Sequence, residues 1–249
     1  MIESRSFLRN PQLDGSSFFW QRGDVAILCL HGFTATTVEV RKIASYLSDQ
    51  GYTTCGPLLP GHGSTPQELN RTGWKDWLAC AENSLQELIG QYHQIFIIGE
   101  SMGGLLTLNL AARYPFIRGA IVAAPALKYH NLWLAKLCWP FIPYLKKGNP
   151  VDSIPTQSYT INPIKAASSL YDFQRVVKKV LPQVNVPLLF FQGKKDDTID
   201  QSGTVYCYEH AGSKDKELIF LEESAHIIFL DQELPLVEQK SQKFIEAHL

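Results

Sequence analysis

Four short apolar runs, at 25–30 (VAILCL), 94–99 (QIFIIG), 120–126 (AIVAAPA) and 187–192 (PLLFFQ), recur along this chain with longer amphipathic stretches between them. A strand that is apolar at consecutive positions must be covered on both faces, and the intervening helices supply the cover. The alternation therefore predicts an α/β domain built on a mostly parallel central sheet with helices on both faces. A short strand at 52–56 and a last strand at 216–221 extend the sheet. Helices are expected at 74–91, where Trp77, Leu78, Ala81, Leu85, Leu88 and Ile89 fall at helical spacing, at 102–114, and at 235–248. Thr36 followed by Glu39 reads as a capping box that opens a helix running to Gln50 and stopping at Gly51.

Between 127 and 184 the pattern breaks. NLWLAKLCWPFIPYLKKGNP and SSLYDFQRVVKKVLPQV are too apolar for a solvated loop, so this stretch reads as a small, partly helical cap inserted into a core formed by 1–126 and 185–249. Its density of Leu132, Trp133, Leu134, Leu137, Cys138, Trp139, Phe141 and Ile142 is expected either to pack on the domain or to line a ligand cavity, with Trp133 or Trp139 facing the substrate.

Composition removes several classes. Twenty-three Lys and Arg against 24 Asp and Glu give a net charge of −1, and without a basic run nucleic acid is not an expected partner. The longest apolar stretch, 132–145, is interrupted by Lys136, Pro140 and Pro143 and is shorter than the roughly 20 residues that span a bilayer, which leaves transient contact with a lipid surface but no integral segment. The first twenty residues lack a signal-peptide core, so the cytoplasm is the expected location. Five cysteines without a CxxC pair form neither a disulfide framework nor a zinc site, and no metal motif is present. Arg22-Gly23-Asp24 reads as a hairpin turn before the first buried strand.

Gly99-Glu100-Ser101-Met102-Gly103 lies where a strand is expected to turn into a helix, the context that gives a G-x-S-x-G pattern its meaning. A serine on so sharp a turn projects above the sheet, small residues on either side prevent clashes, and the Met102 N–H at the helix start is free to donate to an oxyanion. A serine nucleophile needs a histidine base and an acid to orient it. His226, just after the last strand, is the candidate base, with His31 and His62 as rivals in earlier loops. The loop after PLLFFQ offers Asp196, Asp197 and Asp200 as the acid.

Taken in order, LCLHGFTAT, GPLLPGHG, GESMGG, QGKKDDTID and ESAHIIFLDQE resemble the α/β-hydrolase superfamily, and within it the compact carboxylesterases and monoacylglycerol lipases with a small cap. The resemblance implies that Asp196 is the acid, that Phe33 contributes a second oxyanion N–H, that His31 organises its loop and His62 its turn, and that no cofactor is needed. It implies a serine esterase acting on medium-chain esters or monoacylglycerols. A carbon–carbon hydrolase or an aminopeptidase shares the fold. A non-catalytic receptor would be expected to carry a damaged triad, and Ser101, Asp196 and His226 are all present.

Overall fold

In the computed structural model, residues 7–147 and 154–249 are described. The expectations for 1–6 and for 148–153 within the insertion lie outside them. The chain runs through β1 (Phe18–Trp20), β2 (Val25–Leu30), α1 (Val38–Asp49), β3 (Thr53–Gly56), α2 (Pro66–Arg71), α3 (Trp74–Ile89), β4 (Gln94–Glu100), α4 (Met102–Arg113) and β5 (Gly119–Ala123). It continues with α5 (Leu134–Cys138), β6 (Tyr144–Lys146), β7 (Ile161–Pro163), α6 (Ile164–Val180), β8 (Leu188–Gly193), α7 (Ser202–His210), β9 (Lys216–Leu221) and α8 (Leu234–Ala247).

Seven strands form one sheet in the order β1-β3-β2-β4-β5-β8-β9. Every neighbouring pair from β3 onward is parallel, and only β1 runs antiparallel at the edge. The apolar runs become the central strands for the reason their composition gave: β4 is buried from Ile95 to Glu100 and β5 from Gly119 to Ala123. Helix α4 sits against this centre, and Met102 through Ala111 are all buried. A helix buried on all sides is mostly apolar, here with Thr107 and Asn109 as the buried polar exceptions, and Leu105, Leu106, Leu108 and Leu110 each contribute about 2 kcal/mol of apolar burial.

Three sequence expectations change. Edge strand β1 has no alternation long enough to reveal it; it forms because Phe18–Trp20 finds an open neighbour in β3. Since β3 lies between β1 and β2, Arg22-Gly23-Asp24 joins strands that are not neighbours and is not a hairpin. The capping box at Thr36 and Glu39 is also absent. The cap position of α1 is Thr37, which makes no side-chain cap bond. The Thr36 hydroxyl instead donates to Gln157 Oε1 at 2.9 Å, and the Glu39 carboxylate turns inward to accept from the Gly32 N–H at 2.9 Å.

Within 127–184, α5 and the antiparallel pair β6–β7 lie outside the main sheet. Helix α6 buries Leu170, Phe173 and Val177, and Gln174 Nε2 donates to the Ala126 carbonyl at 2.6 Å. That bond ties α6 to the segment just after β5, beside the end of the sheet where the loops of interest emerge.

Candidate active site

Because β2, β4, β8 and β9 are parallel, their carboxyl ends open on one side, where ligands bind in sheets of this kind. Ser101 stands where β4 turns into α4, with φ +57° and ψ −114°. A non-glycine residue held there stores roughly 1–3 kcal/mol of strain, so its surroundings must hold it. Its N–H donates to the Ala123 carbonyl at 2.9 Å and its own carbonyl accepts from Ala126 at 3.1 Å. The flanking glycines are required by contact. A Cβ at Gly99 would stand 2.2 Å from the Gly103 oxygen, and one at Gly103 would stand 2.0 Å from the Leu30 oxygen.

His226 hangs in the loop after β9. Its Nδ1 lies 2.9 Å from Asp196 Oδ2 and its Nε2 lies 3.0 Å from Ser101 Oγ. With a carboxylate at Nδ1, the proton sits there, and the Nε2 lone pair faces the serine hydroxyl. Asp196 is itself fixed: the N–H groups of Thr198 and Ile199 donate to Oδ1 at 2.9 and 3.1 Å, and Gln192 Nε2 donates to Oδ2 at 3.1 Å. Burial acts to raise the Asp196 carboxyl, but the His226 ring and these donors outweigh it and hold it below the usual carboxylate range. Burial likewise acts to lower His226, yet the Asp196 charge and hydrogen bond, with Glu39 and Asp197 nearby, leave its value raised.

The other two aspartates point elsewhere. Asp197 is exposed and accepts from the Thr198 hydroxyl at 3.4 Å, and Asp200 accepts from the Ser202 N–H at 2.9 Å. The rival histidines turn ring nitrogens to the backbone and not to Ser101. His31 Nδ1 donates to the Gly32 carbonyl at 2.9 Å while Nε2 accepts from the Leu59 N–H at 3.1 Å, and burial pulls its value down to about 4, so the ring is neutral. His62 Nδ1 faces the carbonyls of Leu59 and Pro60, and its ring packs edge-on against His31 at 5.0 Å.

Phe33 borders the same cavity as Ser101, and Met102 is the first residue of α4, whose opening N–H groups have no partner within the helix. Among the described residues neither the Phe33 nor the Met102 N–H meets an acceptor. Glu100 supports the scaffold: Oε1 accepts from the Phe229 N–H at 3.1 Å, tying the elbow to the loop that carries His226. Burial, and then the negative neighbour Glu39, push its carboxyl well above the ordinary value and favour the neutral form.

The cavity above Ser101 measures about 540 Å³. Phe33, Tyr129, Ile154, Leu170 and Ile227 supply apolar wall, Arg9, Lys146 and Lys147 supply cations, and Glu39, Glu100 and Asp197 supply carboxylates. The expected tryptophans are not in it. Trp133 and Trp139 are 50% and 40% exposed, and Phe141 is 85% exposed, so the apolar face of α5 and the residues after it is turned to the outside. Their place is taken by Leu170 of α6 and by segments around Tyr129 and Ile154. The sequence reading missed Glu39, Arg9 and Lys147 at this site. Glu39 was hidden by its plausible capping spacing. Arg9 and the Lys146-Lys147 pair look locally like ordinary solvated charge.

Fold and loop order together make this an α/β-hydrolase, and a serine set at the end of β4 before a histidine and an aspartate is the arrangement of the serine hydrolases. The family described as serine aminopeptidase, S33 (Hydrolase_4) matches residues 21–163 and 159–233, and the chain belongs to it. It is 31% identical over 235 residues to a carboxylesterase of Bacillus subtilis (strain 168), covering 92% of this chain and 95% of that one. It is 29% identical over 243 residues to a thermostable monoacylglycerol lipase of Bacillus sp. (strain H-257), covering 96% and 97%. Among solved structures, one reported for the metagenome-derived lipolytic enzymes LipS and LipT superposes with a TM-score of 0.90 at 28% identity, over 94% of this chain and 98% of that one.

Proposed function

We propose that this protein hydrolyses carboxylic esters through an acyl-enzyme on Ser101, the class of substrate being esters of medium-length acyl chains or of glycerol, monoacylglycerols and their charged derivatives included. The observation that supports it most is the unbroken line of hydrogen bonds from Ser101 Oγ, which borders the cavity, through His226 to Asp196. Ser101 Oγ attacks the ester carbonyl as His226 Nε2 takes its proton, and Asp196 holds the ring and stabilises its charged form. The N–H groups of Phe33 and Met102 receive the negative oxygen of the tetrahedral intermediate. His226 then returns the proton to the departing alcohol, and water repeats the sequence on the acyl-enzyme. Among the described residues no helix is long and apolar enough to cross a membrane, and five unpaired thiols fit the reducing cytoplasm as the place of reaction.

Only neutral His226 can accept the serine proton, so kcat/KM should rise with pH as the imidazolium deprotonates. The raised value of His226 puts that limb above the roughly 6.5 of an ordinary histidine, where the sequence alone would have put it. A pH–rate profile at constant ionic strength measures this, and a midpoint below the ordinary value would contradict the assignment of the base.

The substrate class is tested with p-nitrophenyl esters of two to ten carbons beside aminoacyl p-nitroanilides. Esters should be cleaved far faster, with kcat/KM climbing from acetate as each buried methylene adds up to about 0.8 kcal/mol, then falling once the cavity is full. Trp133→Ala and Trp139→Ala should leave that profile in place, because both rings stand outside the cavity. Preference for the anilides would make the protein a peptidase, and a flat ester profile would remove the lipid-like substrate.

A further inference from the structure

For a chain whose net charge is −1, the cavity over Ser101 has an unusual wall, with Arg9, Lys146 and Lys147 all bordering it. Two of these cations are carried on anchored backbone. The Arg9 N–H donates to the Ser158 carbonyl at 2.9 Å beside the bridge between Leu8 and Tyr159, and the Lys147 N–H donates to the Thr160 carbonyl at 3.2 Å. The Lys147 ammonium reaches inward and donates to the Thr34 hydroxyl, one residue beyond Phe33. Thr34 has φ +66°, a costly conformation for a β-branched residue, and its carbonyl is tied to the Tyr159 N–H at 3.0 Å. The strained loop thus presents a hydroxyl to a lysine at the edge of the reaction site.

Three carboxylates, Glu39, Glu100 and Asp197, border the same cavity, and none of them forms an ion pair with these cations. Glu39, the acid beside Lys147, has one oxygen committed to the Gly32 N–H, and burial pushes its carboxyl upward. Glu100 is held toward its neutral form, and Asp197 is exposed. Among the described residues, none of the three cations has a carboxylate within ion-pair distance. Burial, opposed by Glu39 and assisted by Arg9, lowers Lys147 to about 8, as expected of an ammonium withdrawn from water with a second cation near it. Two cations held beside each other in a cavity are stabilised by a bound anion. They repel the free amino group that an aminopeptidase must hold.

Resting on the reading of Ser101 as the nucleophile, we propose that the ester this protein cleaves carries an anionic group, a carboxylate or a phosphate, that seats against Lys147 and Arg9 while the acyl chain lies along Phe33, Leu170 and Ile227. Lys147 is then a specificity-determining residue. Its three N–H donors reach both Thr34 and the ligand, and a charge-assisted hydrogen bond withdrawn from water discriminates more strongly than a methylene contact.

Two matched pairs of esters test this, followed by titration of the released acid. Monoethyl glutarate against ethyl pentanoate places a carboxylate on the acyl side, and 1-butanoylglycerol 3-phosphate against 1-butanoylglycerol places a phosphate on the alcohol side. In at least one pair the charged ester should have the higher kcat/KM by about tenfold, mostly through KM, and the advantage should shrink with added salt. Lys147→Met should lower the charged-to-neutral ratio by about tenfold and Lys147→Arg should restore it in part. Arg9→Gln, on a separate segment, should lower the ratio in the same direction and serves if Lys147→Met does not fold. Which pair responds tells carboxylate from phosphate. A neutral ester preferred in both pairs, or a ratio unmoved in Lys147→Met and in Arg9→Gln, overturns the anionic substrate while leaving ester hydrolysis standing. Failure to cleave any of the four overturns both.

Discussion

Ser101→Ala is expected to lower ester turnover by at least about a thousandfold, with the fold retained, since the members of such a triad act as a unit and only oxyanion and binding contributions survive. The physical basis is local. Ser101 Oγ is the one atom that both lies 3.0 Å from His226 Nε2 and projects from the strained elbow into the cavity. Alanine keeps the Cβ, so the bonds of the Ser101 backbone to Ala123 and Ala126 remain and the thermal midpoint should barely move. A fluorophosphonate probe should label the wild-type protein at Ser101 and leave the variant unlabelled. Labelling at another serine, or turnover retained in the variant, would remove Ser101 from the mechanism.

Asp196→Asn should cost on the order of ten-thousandfold in kcat, the scale found when the orienting acid of a serine protease triad is made neutral. An asparagine amide can present a donor where Asp196 Oδ2 now accepts from His226 Nδ1, which drives the ring toward the tautomer that carries its proton on Nε2 and can no longer receive one from Ser101. It also removes the charge that raises His226, so any residual activity should show its acid limb at lower pH than the wild type. Asp197→Asn is the comparison. That side chain is exposed and bonds only to Thr198 among the described residues, and its loss should cost far less. The reverse ranking, in purified and folded variants, would move the acid to Asp197.

Most of the architecture was legible because it rests on local pattern. Continuous apolar runs find cover on both faces as central strands, as β2 does, and both β2 and the edge strand β9 occupy the expected residues without adjustment. The strand before Ser101 and the helix after it follow from QIFIIG and from the leucine-rich stretch that comes straight after the elbow. The order Ser101, Asp196, His226 was readable for the same reason. Each stands in a loop just after a strand, and parallel strands deliver such loops to one edge of the sheet.

What the sequence could not determine depends on which distant groups compete for a side chain. Glu39 has the spacing of a capping box, yet the buried Gly32 N–H needs an acceptor and Thr36 is taken by Gln157, 121 residues away. Trp133 and Trp139 have the composition of pocket walls, but hydrophobicity says only that a surface seeks cover and gives no direction; α6 filled the place with Leu170 and left those rings outside. Arg9 and Lys147 lie at opposite ends of the chain's first 147 residues and carry no pattern between them. The sequence by itself determined the central strands, the elbow and the order of the reactive loops, because apolar periodicity and the glycines that flank Ser101 can be read within a few residues. Only the tertiary structure decided which walls enclose Ser101 and what charge they bear, because those follow from contacts closed across the whole chain.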